Sequence, residues 1–320
     1  MRVIFFGTPQ FAAAHLTHLI EQNILVVAVV TAPDKPAGRG KKLSQPAVKE
    51  IALKYHLPVL QPVNLKEEKF LSELAAFKAE LFVVIAFRML PETIWKMPPK
   101  GTFNLHASLL PEYRGAAPIN RAIMNGEKIT GLTTFFINEN IDTGAILTQT
   151  TMSIGENETA GELHDRMIEE GKIMVINTIH QIEAGTIQET PQSQLIIESK
   201  YLKAAPKIFK EDCRINWSLS GDAIHNHIRG LSPYPAATAQ FLDEDGRSLD
   251  VKILMGKFER KQHENAHFTL LTDNRTFLKV ALADGYLFIL TIQVAGKRAL
   301  GMSEYLNGFK FNGKWRVNFE

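Results

Sequence analysis

Along the first 190 positions the hydrophobic residues recur in two rhythms. Short apolar runs at Arg2–Phe6, Ile24–Thr31, Pro58–Leu60 and Leu81–Ala86 read as strands. Their continuity, rather than alternation, predicts burial on both faces. Between them, apolar positions fall three and four apart. Phe11, Leu16, Leu19 and Ile20 stripe a helix running to about Gln22, and Pro46–Tyr55 and Lys66–Phe77 read as two more. Thr8 is placed to cap the first helix and Pro9 suits its first turn. This strand–helix alternation predicts an α/β fold with a doubly wound, mostly parallel sheet. From Gly101 the rhythm changes: Thr102, Asn104 and His106 share one face of a strand, Phe103 and Leu105 the other, until Pro111 ends the ladder. Pro118 opens a helix ending near Gly126, Leu132–Ile137 and Ile146–Ser153 read as strands, and a long helix follows from about Thr159 to Ala184. Leu163, Met167, Ile173, Ile176 and Ile179 form its expected apolar stripe.

Past this point the pattern changes again. Thr190–Pro206 reads as a linker, polar and then basic, and Ser220–Gly230 as a helix. Short alternating runs follow near Ala237–Phe241, Leu249–Met255, Phe268–Leu271, Thr276–Ala281 and Tyr286–Val294, the spacing of a small β-barrel of OB-like type. The expected division is a catalytic domain over 1–189, a linker over 190–206 and a C-terminal barrel over 207–320. A length of 320 residues agrees with two cores better than one.

A net charge of +2 is too small to define a partner, so placement decides. In Ala32–Gln45 the cations Lys35, Arg39, Lys41 and Lys42 face one acid, Asp34, while Pro33, Pro36, Gly38 and Gly40 predict an irregular loop. A basic loop of this kind suits a phosphate backbone. Further cations, Lys203, Lys207 and Lys210, precede the barrel, and Lys297 and Arg298 follow its last expected strand. The single cysteine, Cys213, excludes an intramolecular disulfide and a thiolate cluster within one chain, and its charged surroundings mark it as a bystander. No His/Cys ligand spacing points to a metal. The N-terminus reads as a first strand rather than a signal peptide, and no run reaches the roughly 18 apolar residues of a membrane span. The expectation is a cytoplasmic monomer. A G-x-G-x-x-G is absent from the sequence, which argues against a nicotinamide enzyme.

Asn104 and His106 project near the C-terminal end of a strand, where open α/β sheets bind ligands. A carboxamide donor beside an imidazole suits a reaction that builds charge on a carbonyl oxygen while a proton moves. Asp142 lies in a turn after the next strand. If that strand is parallel, its C-terminal end brings the carboxylate near His106, where it can orient the ring. Gly115, Ala116 and Ala117 would let backbone approach a ligand closely.

Four motifs in one order carry a resemblance: FGTPQFA at Phe6–Ala12, DKPAGRGKK at Asp34–Lys42, NLHASLLPEYRGAAPI at Asn104–Ile119 and IDTG at Ile141–Gly144. With KIFKEDCRINW, IRGLSPYPAA and LTIQVAGKRAL further on, the chain resembles the methionyl-tRNA formyltransferases, within the formyltetrahydrofolate-dependent formyltransferase family, over nearly its whole length. The resemblance implies a Rossmann-like first domain. It also implies transfer of a formyl group from 10-formyltetrahydrofolate to the α-amino group of methionyl initiator tRNA, for translation initiation, by direct amine attack through a tetrahedral intermediate. It implies no metal. Asn104, His106 and Asp142 become the catalytic residues. Ser108, Leu109, Leu110 and Pro111, with Phe87 and Leu90 in the preceding loop, become the folate-binding ones. Lys35, Arg39, Lys41 and Lys42, together with Lys207 and Lys210, become the tRNA-binding ones. The chain departs from the pattern at AFRMLP (Ala86–Pro91), where many relatives read A-Y-G-x-x-L-P; Arg88 stands in a shortened loop. The related chemistries are a formyltransferase acting on a small amine and a formyltetrahydrofolate hydrolase.

Overall fold

In the computed structural model, which describes residues 1–37, 42–195 and 202–319, the continuous apolar runs become the inner strands of a sheet. In chain order the elements are β1 (Val3–Gly7), α1 (Gln10–Glu21), β2 (Val26–Val30), β3 (Lys35–Ala37), β4 (Lys42–Ser44), α2 (Ala47–Lys54), β5 (Val59–Leu60), α3 (Glu68–Ala76), β6 (Leu81–Ile85), α4 (Glu92–Trp95), β7 (Thr102–His106), β8 (Arg114–Gly115), α5 (Pro118–Met124), β9 (Ile129–Phe136), β10 (Ile146–Ser153) and α6 (Ala160–Ala184). The sheet order is β10-β9-β7-β6-β1-β2-β5. Every residue of β1 and β6 is buried, which requires cover on both faces. Pairs from β7 to β5 are parallel, so the fold is Rossmann-like.

In this part of the chain four expectations are corrected. First, β9 runs antiparallel to β7, pairing His106 with Thr133 and Phe103 with Phe136. The connection leaves and re-enters the sheet at the same end, without a crossover, so the next strand must run back. Second, Thr8 makes no capping bond; Pro9 is itself the N-cap of α1. Third, the basic segment is not wholly irregular. β3 and β4 form an antiparallel ribbon pairing Lys35 with Ser44 and Ala37 with Lys42. A two-stranded ribbon has only outer edges, so Pro36 costs no interior ladder bond. Fourth, Ile173 is 59% exposed. Leu163, Met167, Ile176 and Ile179 of the expected stripe are buried, and Met174, Val175, Thr178 and Ile182 join them on a face of α6 from which Ile173 points away.

Gly171 meets α1 closely: a Cβ there would stand 2.6 Å from Nε2 of His15. That nitrogen has no partner, while Nδ1 bonds the Phe11 carbonyl at 2.7 Å. Burial lowers the imidazole from 6.5 to about 4. As pH falls through that window the unfolded chain binds a proton that the folded chain refuses, so stability is lost from about 6.5 down to about 4. The loss is on the order of 3 kcal/mol. Denaturant melts of wild type and His15→Gln at pH 4.5 and 7 are expected to show a shallower pH dependence in the variant; equal slopes would refute the assignment.

The chain forms two compact units, the second comprising Ile119–Ile129, Ser153–Leu163 and Ala205–Glu320. The remaining elements of the chain are β11 (Ala204–Ala205), which straddles the boundary, α7 (Gly221–Leu231), β12 (Ala237–Asp243), β13 (Ser248–Arg260), β14 (Leu270–Thr272), β15 (Leu278–Leu282), β16 (Gly285–Val294), β17 (Leu300–Gly301), α8 (Met302–Gly308) and β18 (Trp315–Val317). The sheet order β14-β15-β16-β13-β12-β18 is nearly closed by a Thr269–Arg316 bridge and by the Val317 N–H donating to the Phe268 carbonyl at 2.9 Å. β13 bends through an irregularity around Met255 and Gly256, which lets one long strand turn a barrel corner. Trp217, Phe241, Ile253, Leu287 and Ile289 fill the interior. Ser220 caps α7 by accepting the Ala223 N–H. Lys297 and Arg298 do not follow the last strand: β17, α8 and β18 come after them.

Candidate functional site

Asn104 and His106 lie two residues apart on β7 and so share a face. The Asn104 carboxamide is half-buried and makes no hydrogen bond with any described residue. The His106 ring is buried, and its Nε2 lies 2.8 Å from the Tyr113 carbonyl oxygen. A carbonyl can only accept, so Nε2 carries a proton, and Nδ1 is the nitrogen left to give or take one. Nδ1 faces Oδ2 of Asp142 at 3.7 Å, close enough for charge to act but beyond a hydrogen bond. The ring is therefore held by Tyr113, and Asp142 stands beside its free nitrogen.

Asp142 reaches this position by a route different from the one expected. Because β9 is antiparallel to β7, its C-terminal end lies opposite the start of β7, and it is the turn between β9 and β10 that brings the carboxylate to His106. The sequence of that turn explains its shape. Asn138 Oδ1 accepts the Asn140 N–H at 3.1 Å and the Thr143 hydroxyl at 2.9 Å. Asp142 has φ 54°, a left-handed conformation that Asp tolerates. Gly144 is obligatory, since a Cβ there would come within 1.6 Å of the Phe136 carbonyl oxygen. The Asp142 carboxylate in turn accepts the Gly115 N–H at 2.9 Å.

A buried residue from the segment read as linker completes the arrangement. Gln192, 3% exposed, donates its amide to the carbonyls of Asp142 and Gly144, both at 2.9 Å. Its oxygen accepts Nε and Nη2 of Arg114 at 3.1 and 2.5 Å. Burial lowers the Arg114 guanidinium below its ordinary value, and the charge of Asp142 pulls it back up. Nothing local in the polar stretch TPQSQ distinguishes Gln192, so pattern reading passes over it.

The Ser108–Pro111 stretch is built inward. The Ser108 hydroxyl donates to the Glu112 carbonyl at 2.6 Å, and Leu110 packs with Phe135 and Ile146. Thr133 Oγ1 donates to the Ser108 carbonyl at 2.7 Å and accepts the Leu110 N–H at 3.1 Å. Leu109 is half-buried and Pro111 buried. In the preceding loop Leu90 is buried and Phe87 packs edge-on against Phe6 at 5.7 Å. Arg88 turns back to the chain, donating to the carbonyls of Pro62 and Val63 at 2.5 and 2.9 Å.

Among the basic residues, Lys35 is exposed on the ribbon and the backbone of Lys42 lies in β4, while Arg39 and Lys41 lie outside the described residues. Lys207 and Lys210 are exposed, and the Lys207 ammonium sits over the Phe209 ring at 5.5 Å. Among the described residues no group of three or more His, Cys, Asp and Glu is placed to hold a metal ion, and no helix is long and apolar enough to cross a membrane.

Residues 1–179 match the family described as Formyl transferase, and residues 207–310 match the Formyl transferase C-terminal domain. A protein of Flavobacterium johnsoniae named methionyl-tRNA formyltransferase is 48% identical over 317 residues, covering 99% of each chain. A Bacteroides fragilis protein of the same name is 45% identical over 317 residues, covering 99% of this chain and 98% of its own. Among solved structures, WlaRD, a sugar 3N-formyl transferase, aligns with a TM-score of 0.65 at 18% identity, covering 93% of this chain and 99% of that one. HypX from Aquifex aeolicus in complex with tetrahydrofolic acid aligns with a TM-score of 0.62 at 18% identity, covering 98% of this chain and 48% of that one. These two likenesses concern the fold.

Proposed function

We infer the activity from a plain premise: this chain belongs to the formyl transferase family. We propose that it moves the formyl group of 10-formyltetrahydrofolate onto the α-amino group of methionine carried by initiator tRNA. The observation that carries this reading is the 48% identity over 99% of the chain, both halves included, to a protein of that name. In this reading residues 1–189 carry the chemistry and 207–320 hold the tRNA, joined by 190–206.

The residues present fit a folate-borne formyl group. An unpartnered, half-buried carboxamide is available at Asn104, and the half-buried Phe87 adjoins the exposed Ala86 at the end of β6. Phe87 and Leu109, the partly exposed members of the two stretches, would line the pteridine end, backed by the buried Leu90, Ser108, Leu110 and Pro111. The donor, when bound, supplies a formyl carbon already activated on a nitrogen leaving group. Asn104 then donates an N–H to the formyl oxygen as negative charge gathers there. His106, with its Nε2 proton engaged by Tyr113, offers Nδ1 to take the proton released when the amine nitrogen bonds to the formyl carbon. The Asp142 carboxylate beside that nitrogen stabilises the resulting imidazolium, which returns the proton to the departing folate nitrogen. One proton thus passes from amine to leaving nitrogen through His106. Arg88 has no part in this scheme.

The test offers the purified protein 10-formyltetrahydrofolate with methionyl initiator tRNA, free methionine or water alone. Formyl incorporation into the charged tRNA alone is expected, with kcat/KM falling steeply as salt rises. Lys207→Ala is expected to reduce the salt slope by about 1, the signature of a lost phosphate contact. Folate turnover without tRNA formylation would move the function to a small-amine transferase or a hydrolase.

A further inference from the structure

We propose that Gln192 is a positioning residue of the transfer site, acting through Asp142. The proposal rests on the formyl-transfer reading above. Its ground is a chain of bonds with few alternatives. The amide of Gln192 reaches the carbonyls on both sides of Thr143, at Asp142 and Gly144, both at 2.9 Å. The Asp142 backbone is in the left-handed region, a conformation that surrounding contacts must maintain. The turn's own braces, through Asn138, hold Asn140 and Thr143. They leave the two carbonyls at the carboxylate-bearing end to Gln192. Among the described residues the carboxylate's one hydrogen-bond donor, the Gly115 N–H, lies next to Arg114, which Gln192 also grips with its oxygen. One buried side chain therefore ties together the residue that carries the carboxylate and the neighbour of its hydrogen-bond donor. His106 sits 3.7 Å from Asp142 with no hydrogen bond between them, so their separation is set by what anchors each of them. Tyr113 anchors the ring, and Gln192 anchors the acid.

The anchor itself is placed by the chain after α6. Thr190 exchanges two backbone hydrogen bonds with Ile146 of β10, both at 2.8 Å. Pro191 then leads into the short turn that carries Gln192. The segment thus docks on the sheet edge before delivering its amide, which explains how a polar residue so close to the end of the first unit is buried.

A double-mutant cycle tests this. Gln192→Met keeps length and bulk while removing all hydrogen bonds. It is expected to lower kcat about 10- to 100-fold, the effect of a small misplacement of a reacting group. KM for both substrates should stay within about twofold, because uniform binding is untouched. In an Asp142→Ala background the same change should cost nothing further, since residues acting as one unit are not additive. Hydrogen exchange at the Gly115 amide, measured without substrate, should quicken in Gln192→Met as it does in Asp142→Ala. Gln192→Glu keeps the acceptor for Arg114 but loses the donors to the two carbonyls, so it should not rescue turnover; it also serves if Gln192→Met does not fold. Full additivity in the cycle, unchanged Gly115 exchange, or rescue by Gln192→Glu would each overturn the proposal. If wild type fails to formylate methionyl-tRNA, the functional reading falls, and the Gly115 exchange still decides what Gln192 does.

Discussion

Asn104→Ala lowers kcat for formylation of methionyl initiator tRNA by about 100- to 1000-fold, the range lost when one preorganised donor to a developing oxyanion is removed. The expectation follows from what the side chain does not do. Its carboxamide has no partner among the described residues, although β7 lies inside the sheet and both flanking positions, Phe103 and Leu105, are buried. A half-buried amide left without a partner gives little to stability, so its removal leaves no group stranded and unfolding should shift by about 0.5 kcal/mol or less. Folate affinity should hold, because the interaction strengthens only as charge forms on the oxygen. Steady-state kinetics with a denaturant melt reads both quantities. Near-wild-type turnover would remove Asn104 from the chemistry; a large loss of stability would make it a structural residue.

Asp142→Asn is expected to cost about 100- to 10,000-fold in kcat, the span of general acid–base contributions. This substitution separates charge from shape. The amide oxygen of Asn can still accept the Gly115 N–H, and Asn tolerates φ 54° as Asp does, so the turn keeps its form. What disappears is the negative charge 3.7 Å from Nδ1 of His106. The ring stays in place because Tyr113 holds it from the other nitrogen. A full loss in Asp142→Asn therefore means that the charge matters, through the imidazolium it stabilises. Full activity in Asp142→Asn together with inactivity in Asp142→Ala would instead assign Asp142 to holding Gly115.

Much of the architecture was legible because it depends on local pattern. Continuous apolar runs such as Val3–Gly7 and Leu81–Ile85 became fully buried strands, and the alternation around Asn104 and His106 set both side chains on one face of β7. The short alternating runs of the last third became β12 to β16. β18 and α8 went unread: three strand residues and one brief helix leave too little periodicity to recognise.

The sequence by itself therefore determined the longer strands and helices, which face of β7 bears a carboxamide and an imidazole, and, through four motifs in register, the family. Periodicity is a property of neighbouring residues and needs no partner. Tertiary structure alone decided the direction of β9, since an antiparallel return depends on where the connection re-enters the sheet. It decided that His106 is held by the carbonyl of Tyr113 rather than by Asp142, and that Arg88 folds back onto the carbonyls of Pro62 and Val63. Above all it brought Gln192 to Asp142 across 50 positions of chain. Backbone acceptors carry no sequence signature, and hydrogen bonds between distant segments leave no period to read, so contacts of this kind exist only once the chain has folded.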